Sequence, residues 1–364
     1  MADGDQGLSE AVAPTTVTSA AAPTGSATAE WINATLEQPA DPQSNHLLDT
    51  TLEAPALPHF TVTLQPPDLT PWRVGNCGVD GFWSFDAPKP GPHVALIALI
   101  HGNEIAGAIA LEAMLRAEIR PLRGRLTIGF ANLDAYDRFD PARPIASRFI
   151  DEDMNRVWSP ALLDGARRSR ELDRARAIRP VIESADMVLD LHSMLWPSEP
   201  LMLCGSGARG KALALALGTP DLVVADSGHA GGRRLIDYPR FTHSMNEAAC
   251  VLVEAGQHWH EPTVAQMQET IAAVLRHSGL RDATLAHRPP PRFAEVTELV
   301  TAMTDRFQFV RRFRGGEIIA RRGTLIGHDG GREIRTPHDD CLLIMPSLWT
   351  SRLHTAVRLA RLIR

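Results

Sequence analysis

Lysine occurs only twice in 364 residues, at Lys89 and Lys211. Cationic chemistry therefore falls to arginine, whose planar fork pairs with carboxylates at two points where an ammonium offers one. No lysine follows Lys211. That excludes a lipoyl or biotinyl carrier in the Gly-rich C-terminal part, because such a carrier needs a modifiable lysine. Tyrosine is equally scarce, at Tyr136 and Tyr238. The longest uninterrupted apolar run covers 94–100, far short of the roughly 20 residues a helical membrane span needs, so a membrane is not an expected partner. No basic residue precedes Arg73, whereas nine acidic residues do. The N-terminus thus lacks the basic stretch of a secretory signal, and a cytoplasmic location is expected. The remaining residues carry 37 basic against 34 acidic groups, giving +3. Such a balance offers no cluster of cations to displace counterions from phosphates, and nucleic acid is not expected as a partner. The four cysteines, Cys77, Cys204, Cys250 and Cys341, form no C-x-x-C pair, and no disulfide framework is expected.

What is present is a chain long enough for one large or two modest folded units. Residues 1–58 are rich in Ala, Thr, Ser, Pro and acids, a composition that buries too little apolar surface to offset ordering entropy, and read as a disordered leader. From 59 to 285, apolar runs at 93–100, 126–130, 187–191, 201–204, 222–225 and 250–253 read as buried strands. Helix patterns at 105–116, 172–185 and 262–277 lie between them. This alternation predicts an α/β domain over 59–285 with a mostly parallel central sheet covered by helices. The run Arg288-Pro289-Pro290-Pro291-Arg292 is a stiff linker. Beyond it, short apolar pieces punctuated by glycine predict a small C-terminal β domain over 286–364, with 348–364 fitting helix and strand equally well.

His101-Gly102-Asn103-Glu104 directly follows the strand at 93–100 and opens a helix. Ligands of open α/β sheets bind at the carboxyl ends of strands, so this is the expected place for a site. A His and a carboxylate three apart on such a turn can face one cation. His192, ending the strand at 187–191, supplies a third ligand, and two His plus one Glu with a free position is the catalytic zinc pattern. Asp190 shares the face of His192 and is placed to hold its far nitrogen. Most of the fourteen histidines, His258 among them, read instead as satisfied or surface residues. Arg148, Asn155 and Arg156 lie in one short loop. That loop is either a solvated charged surface or a clamp for a substrate carboxylate with a cation for a developing oxyanion. Glu254 terminates an apolar strand, where desolvation is costly unless the acid has a task, such as that of a general base. Arg233 and Arg234 sit on a Gly-rich loop, where they are either solvated or able to reach a substrate.

In this order H-G-N-E, R-F-x-x-x-D-x-N-R, D-L-H-S and V-E-x-G resemble the succinylglutamate desuccinylase and aspartoacylase family, a branch of the zinc carboxypeptidase superfamily. The resemblance covers about 90–260. It implies one zinc ion per chain on His101, Glu104 and His192, with Glu254 as general base and Arg148 sharing the oxyanion. Asn155 and Arg156 would hold the substrate carboxylate; Arg233 and Arg234 are further substrate-binding candidates from the residues alone, with a solvated loop as the alternative. The implied activity is deacylation of a small N-acyl amino acid or related amide by metal-activated water. A zinc carboxypeptidase acting on peptides and a non-catalytic metal-binding protein are the alternatives, and self-association into a homo-oligomer stays open. Acid-specific members use a further Arg and a Tyr from the C-terminal domain; this chain has no Tyr beyond Tyr238. The resemblance also places the C-terminal β domain over the carboxyl ends of the sheet.

Overall fold

Runs without a polar face must be buried on both sides, and in the computed structural model they form the middle of the sheet. The strands of the first half are β1 (Phe82–Asp86), β2 (His93–Ala98), β3 (Arg125–Phe130), β4 (Met187–Met194), β5 (Leu201–Leu203), β6 (Leu222–Ala225) and β7 (Ala249–Gln257). Every residue of β2 is buried, and β4 and β7 each have a single partly exposed end residue. Their order β3-β2-β4-β7 is parallel throughout, so their carboxyl ends lie along one edge. The residues described are 60–228, 231–282 and 289–363, all within one compact unit, Leu57–Arg364. The leader expected over 1–58 and the boundary expected at 285/286 lie outside the described residues.

Helices α1 (Ile105–Arg116), α2 (Arg170–Ser184), α3 (Ala208–Leu217) and α4 (Glu261–His277) supply the layers. Leu96 of β2 shares a core cluster with Ile105, Leu213 and Ile271 of α1, α3 and α4. Its neighbours Ala95 and Ile97 share another with Leu172, Ile178 and Ile182 of α2. The period-two alternation of a strand thus sends successive side chains to different helical layers.

The sheet is mixed rather than mostly parallel. Beyond β7 lie β5, antiparallel to it, then β6 and β8 (Arg292–Thr301), each parallel to its predecessor. The connection from β4 to β5 is only six residues, too short for a parallel crossover, so β5 runs back. The order continues through β14 (Thr355–Ile363), β13 (Cys341–Ile344) and β10 (Ile318–Ile319), all antiparallel. Because β8 pairs with β6, the C-terminal strands continue the main sheet and complete eleven strands. A separate small antiparallel sheet holds β9 (Phe307–Phe309), β11 (Leu325–Asp329) and β12 (Arg332–Arg335). Within the ambiguous segment at 348–364, Thr355–Ile363 forms the strand β14. No helix among the described residues is long and apolar enough to cross a membrane.

Candidate active site

The chain leaves β2 through Leu99, a buried non-glycine residue at φ +61°, a conformation that L side chains adopt at some cost. His101, Gly102, Asn103 and Glu104 follow, all buried. Gly102 donates its N–H to the Arg148 carbonyl at 3.1 Å. A Cβ there would stand 2.5 Å from backbone atoms of Ala135, Tyr136 and Ser147, so only glycine lets this turn lie against the next loop. The two oxygens of Glu104 then meet the two histidines: His101 Nδ1 lies 2.7 Å from Oε1 and His192 Nδ1 3.1 Å from Oε2. Ligand atoms of His101, Glu104 and His192 all lie within 4.8 Å of one another. Two nitrogens and a carboxylate, with no fourth ligand in the group among the described residues, match the donor set of an open zinc site.

The outward nitrogens are held as well. His101 Nε2 is 2.8 Å from Asp153 Oδ1, and His192 Nε2 is 3.0 Å from Asp190 Oδ2. The second contact is an ion pair out of line for a hydrogen bond, and neither oxygen of the sealed Asp190 has a hydrogen-bond partner. Burial alone would depress the proton affinity of His192, but Asp190 and Glu104 outweigh it and hold it well above the usual value. For Asp153, burial works upward and is overcome by His101 and Arg148, leaving it well below the carboxylate range. Such carboxylates fix ring orientation and raise the basicity of a ligating imidazole. Asp190 is where strand alternation places it. Asp153 stands inside R-F-x-x-x-D-x-N-R, and its signal was its position three residues before Arg156.

Arg148 bridges Glu104 Oε1 at 3.2 Å and Asp153 Oδ2 at 3.2 Å. Asn155 is buried, accepts the Leu235 N–H at 2.9 Å through Oδ1, and turns Nδ2 toward His192 Nε2 at 3.5 Å. Arg156 is partly exposed, and burial pushes its guanidinium down to about 10. The loop carrying these residues is clamped by Glu171 in the first turn of α2, whose fully buried carboxylate accepts N–H groups from Ile150, Asp151 and Glu152 and from Asn132 Nδ2. Glu254 pairs in register with His192 across β4 and β7. Its Oε2 is buried without a hydrogen-bond partner, and burial, reinforced by Glu104, pushes it up to about 8.

Arg233 and Arg234 approach the same loop: Trp158 donates its N–H to the Arg233 carbonyl at 3.1 Å. A Cβ at Gly232, φ +138°, would collide with the Arg156 carbonyl. The Arg233 side chain is exposed, donating to the Asp237 carbonyl at 3.4 Å. The buried guanidinium of Arg234 is taken up by Asp226 at 2.6 and 2.9 Å and by Asp237 at 2.7 and 3.0 Å. Neither tyrosine joins this group, for Tyr136 donates to the Pro67 carbonyl and Tyr238 to Glu183. His258 is a satisfied core histidine, its Nδ1 2.7 Å from Ser193 Oγ, and burial pushes it down to about 3. Its partner Ser193 donates its backbone N–H to Glu104 Oε2 at 2.9 Å. Sequence reasoning also passed over Asp226 and Arg358, which meet at 3.1 Å.

Residues 90–278, just over half of the chain, match the family described as Succinylglutamate desuccinylase/Aspartoacylase catalytic domain. No curated protein matches the chain. Among solved structures, a succinylglutamate desuccinylase from Vibrio parahaemolyticus is 15% identical, with 78% of this chain and 87% of that one covered at a TM-score of 0.60. A succinylglutamate desuccinylase/aspartoacylase from Rhodobacter sphaeroides is 20% identical, with 78% and 89% covered and a TM-score of 0.58. The ectoine utilization protein of Ruegeria pomeroyi, in a product-bound structure, is 17% identical, with 77% and 87% covered and a TM-score of 0.55. These likenesses carry the fold, and the family match covers all four motifs around Glu104. The chain belongs to the succinylglutamate desuccinylase/aspartoacylase family, hydrolases that act on amide bonds.

Proposed function

We propose that this chain is a zinc-dependent deacylase that hydrolyses a small N-acyl amino acid or a related amide bearing a carboxylate. The observation that carries the reading is the convergence of His101 Nδ1 and His192 Nδ1 on the two oxygens of Glu104, each ring backed by a carboxylate, beside the unpartnered Glu254. His101, Glu104 and His192 would hold one zinc, which when bound supplies a Lewis acid for the amide carbonyl and for the attacking water.

The chain's own groups do the rest. Glu254, whose proton affinity burial raises, accepts in its ionised form a proton from the attacking water at Oε2 and returns it to the leaving nitrogen. Arg148, pinned beside Glu104, stabilises the negative charge that gathers on the carbonyl oxygen. Asn155 has its oxygen committed to Leu235, so its Nδ2 is presented as a donor. With the fork of Arg156 it binds the substrate carboxylate. Arg233, exposed on the adjoining segment, would lend further positive charge, whereas Arg234 acts by anchoring Asp226. Scattered, unpaired cysteines support a cytoplasmic location.

Metal analysis of the purified protein and a hydrolysis screen of N-acyl amino acids test the reading. One equivalent of zinc and release of free amino acid are expected. A zinc-loaded protein inert on the whole panel would overturn the deacylase reading and leave the carboxypeptidase and metal-binding alternatives standing.

A further inference from the structure

Immediately after Glu254, the pairing of β7 with β4 slips by one residue. His192 faces Glu254, but Met194 faces Gln257, so three steps along β7 answer two along β4. A bulge of this kind is rare between parallel strands and re-aims the side chains beyond it. Gly256 lies in the slip at φ +133°, and a Cβ there would stand 2.8 Å from Thr263 Oγ1, so the slip requires glycine. The residues it redirects include His258 and Trp259, 2% and 0% exposed. Neither takes part in the proposed chemistry.

Both nevertheless reach the residues around Glu104. His258 donates its backbone N–H to the Met194 carbonyl at 2.9 Å, and its Nδ1 lies 2.7 Å from Ser193 Oγ. That contact fixes Ser193, whose own N–H donates to Glu104 Oε2 at 2.9 Å. Trp259 Nε1 donates to the carbonyl of Asn103, the residue before Glu104, at 3.0 Å. The Trp259 carbonyl in turn accepts the N–H and the hydroxyl of Thr63 at 3.3 and 2.5 Å, and Phe60 packs edge-on against the indole. Glu104 is thus held through its carboxylate and through the backbone before it, by two consecutive residues at one strand end. A carboxylate whose two oxygens must meet two histidines tolerates little rotation, and partners that fix the orientation of a ligand raise affinity for the metal.

Resting on the proposed zinc site, we infer that His258 and Trp259 are positioning residues for Glu104, His258 acting through Ser193 and Trp259 through the Asn103 carbonyl.

Zinc affinity, read by chelator competition at a temperature where the variants are folded, tests this. His258→Ala, Ser193→Ala and Trp259→Phe should each weaken zinc binding about tenfold. The double variant at Ser193 and His258 should lose no more than either single variant, because the two act as one link. His258→Asn, whose amide atoms stand as many bonds from Cβ as Nδ1 does, should recover most of the affinity, which relief of a packing defect would not explain. Wild-type affinity in His258→Ala or in Trp259→Phe would remove that residue from the role, and losses at Ser193 and His258 that simply add would break the link between them. A wild type that binds no zinc would instead strike the reading on which the inference rests. Thermodynamic linkage gives a check that needs no variant, since a contact that strengthens zinc binding is itself strengthened by zinc to the same degree. Zinc loading of the wild type should slow hydrogen exchange at the Trp259 indole about tenfold more than at Trp83 on the edge strand β1, whose Nε1 donates to the Trp72 carbonyl. Equal slowing of the two indoles would overturn the assignment of Trp259.

Discussion

Glu254 and the three residues of the metal set differ in what their loss should do. Glu254 Oε2 touches no partner, so Glu254→Gln should leave zinc content near the wild-type level while lowering kcat by about 10²-fold or more. Zinc loss in Glu254→Gln equal to that in His192→Ala would reassign it as a ligand. Asp153 and Asp190 act through the rings they hold. Asp153→Ala and Asp190→Ala should each weaken zinc binding by roughly 10- to 100-fold in a chelator competition, and unchanged affinity would demote them to packing. Arg156→Ala should raise KM for substrates with a free carboxylate and spare amide-capped analogues; an equal effect on both would sink the clamp. At this scale the sequence was legible where a motif compresses the site into a few positions, as in His101 to Glu104. It was not legible where long-range pairing makes the site. Nothing near Arg358 or Asp226 in the chain announces that residues 132 apart share one ion pair.

Single elements followed the apolar pattern closely, because a run buried on both faces or striped at helical spacing has few alternatives. Helix α1 spans Ile105–Arg116 and β6 spans Leu222–Ala225, both where periodicity puts them. Pairing direction is another matter, since β5 reverses on account of a short connection rather than its own composition. The ambiguous last segment becomes a strand because β8 and β13 offer it backbone partners on both sides. An ion pair reaches from Asp226 at the end of β6 to Arg358 on β14, with β8 between the two strands. Asp226 follows β6 and neutralises Arg234 and Arg358, all three nearly sealed from water. Burial raises its proton affinity, but the two guanidinium groups outweigh burial and hold it below its ordinary value of 3.8. Folding therefore favours the charged form, and the contribution is fully present above about 3.8 and fades as pH falls through the lower folded value. Asp226→Asn should destabilise the protein by about 3–5 kcal/mol near neutrality, because it leaves buried charge uncompensated. The gap to wild type in denaturant unfolding should narrow below that pH. A constant gap from pH 7 to pH 3 would show that charge is not the cause.

On the scale of the whole molecule, what matters is which substrates can reach Glu104. The segment after β4, the strand that carries His192, is tied to the C-terminal part at two points. Ser198 bridges Gly315, and Glu199 Oε2 accepts from Arg292 Nη2 at 2.8 Å. A side chain at Gly315 would collide with Ser198, so the two backbones are locked close together. The start of β8 and the Gly315 turn are thereby joined to the segment that follows His192. An entrance narrowed by the C-terminal part would admit small amides and exclude extended chains, and a water-poor site strengthens every charge within it. The enzyme should thus hydrolyse N-acyl amino acids yet be inert on peptides of four or more residues. A C-terminal part serving only to join two copies of the chain would leave the entrance open, and the carboxylate clamp would then accept a peptide C-terminus as readily as a free amino acid. Incubating the zinc-loaded enzyme with a tetrapeptide and following release of its last residue separates the two. Efficient trimming would replace the deacylase with a carboxypeptidase, whereas inertness on the tetrapeptide together with turnover of an N-acyl amino acid would assign the C-terminal strands to substrate exclusion.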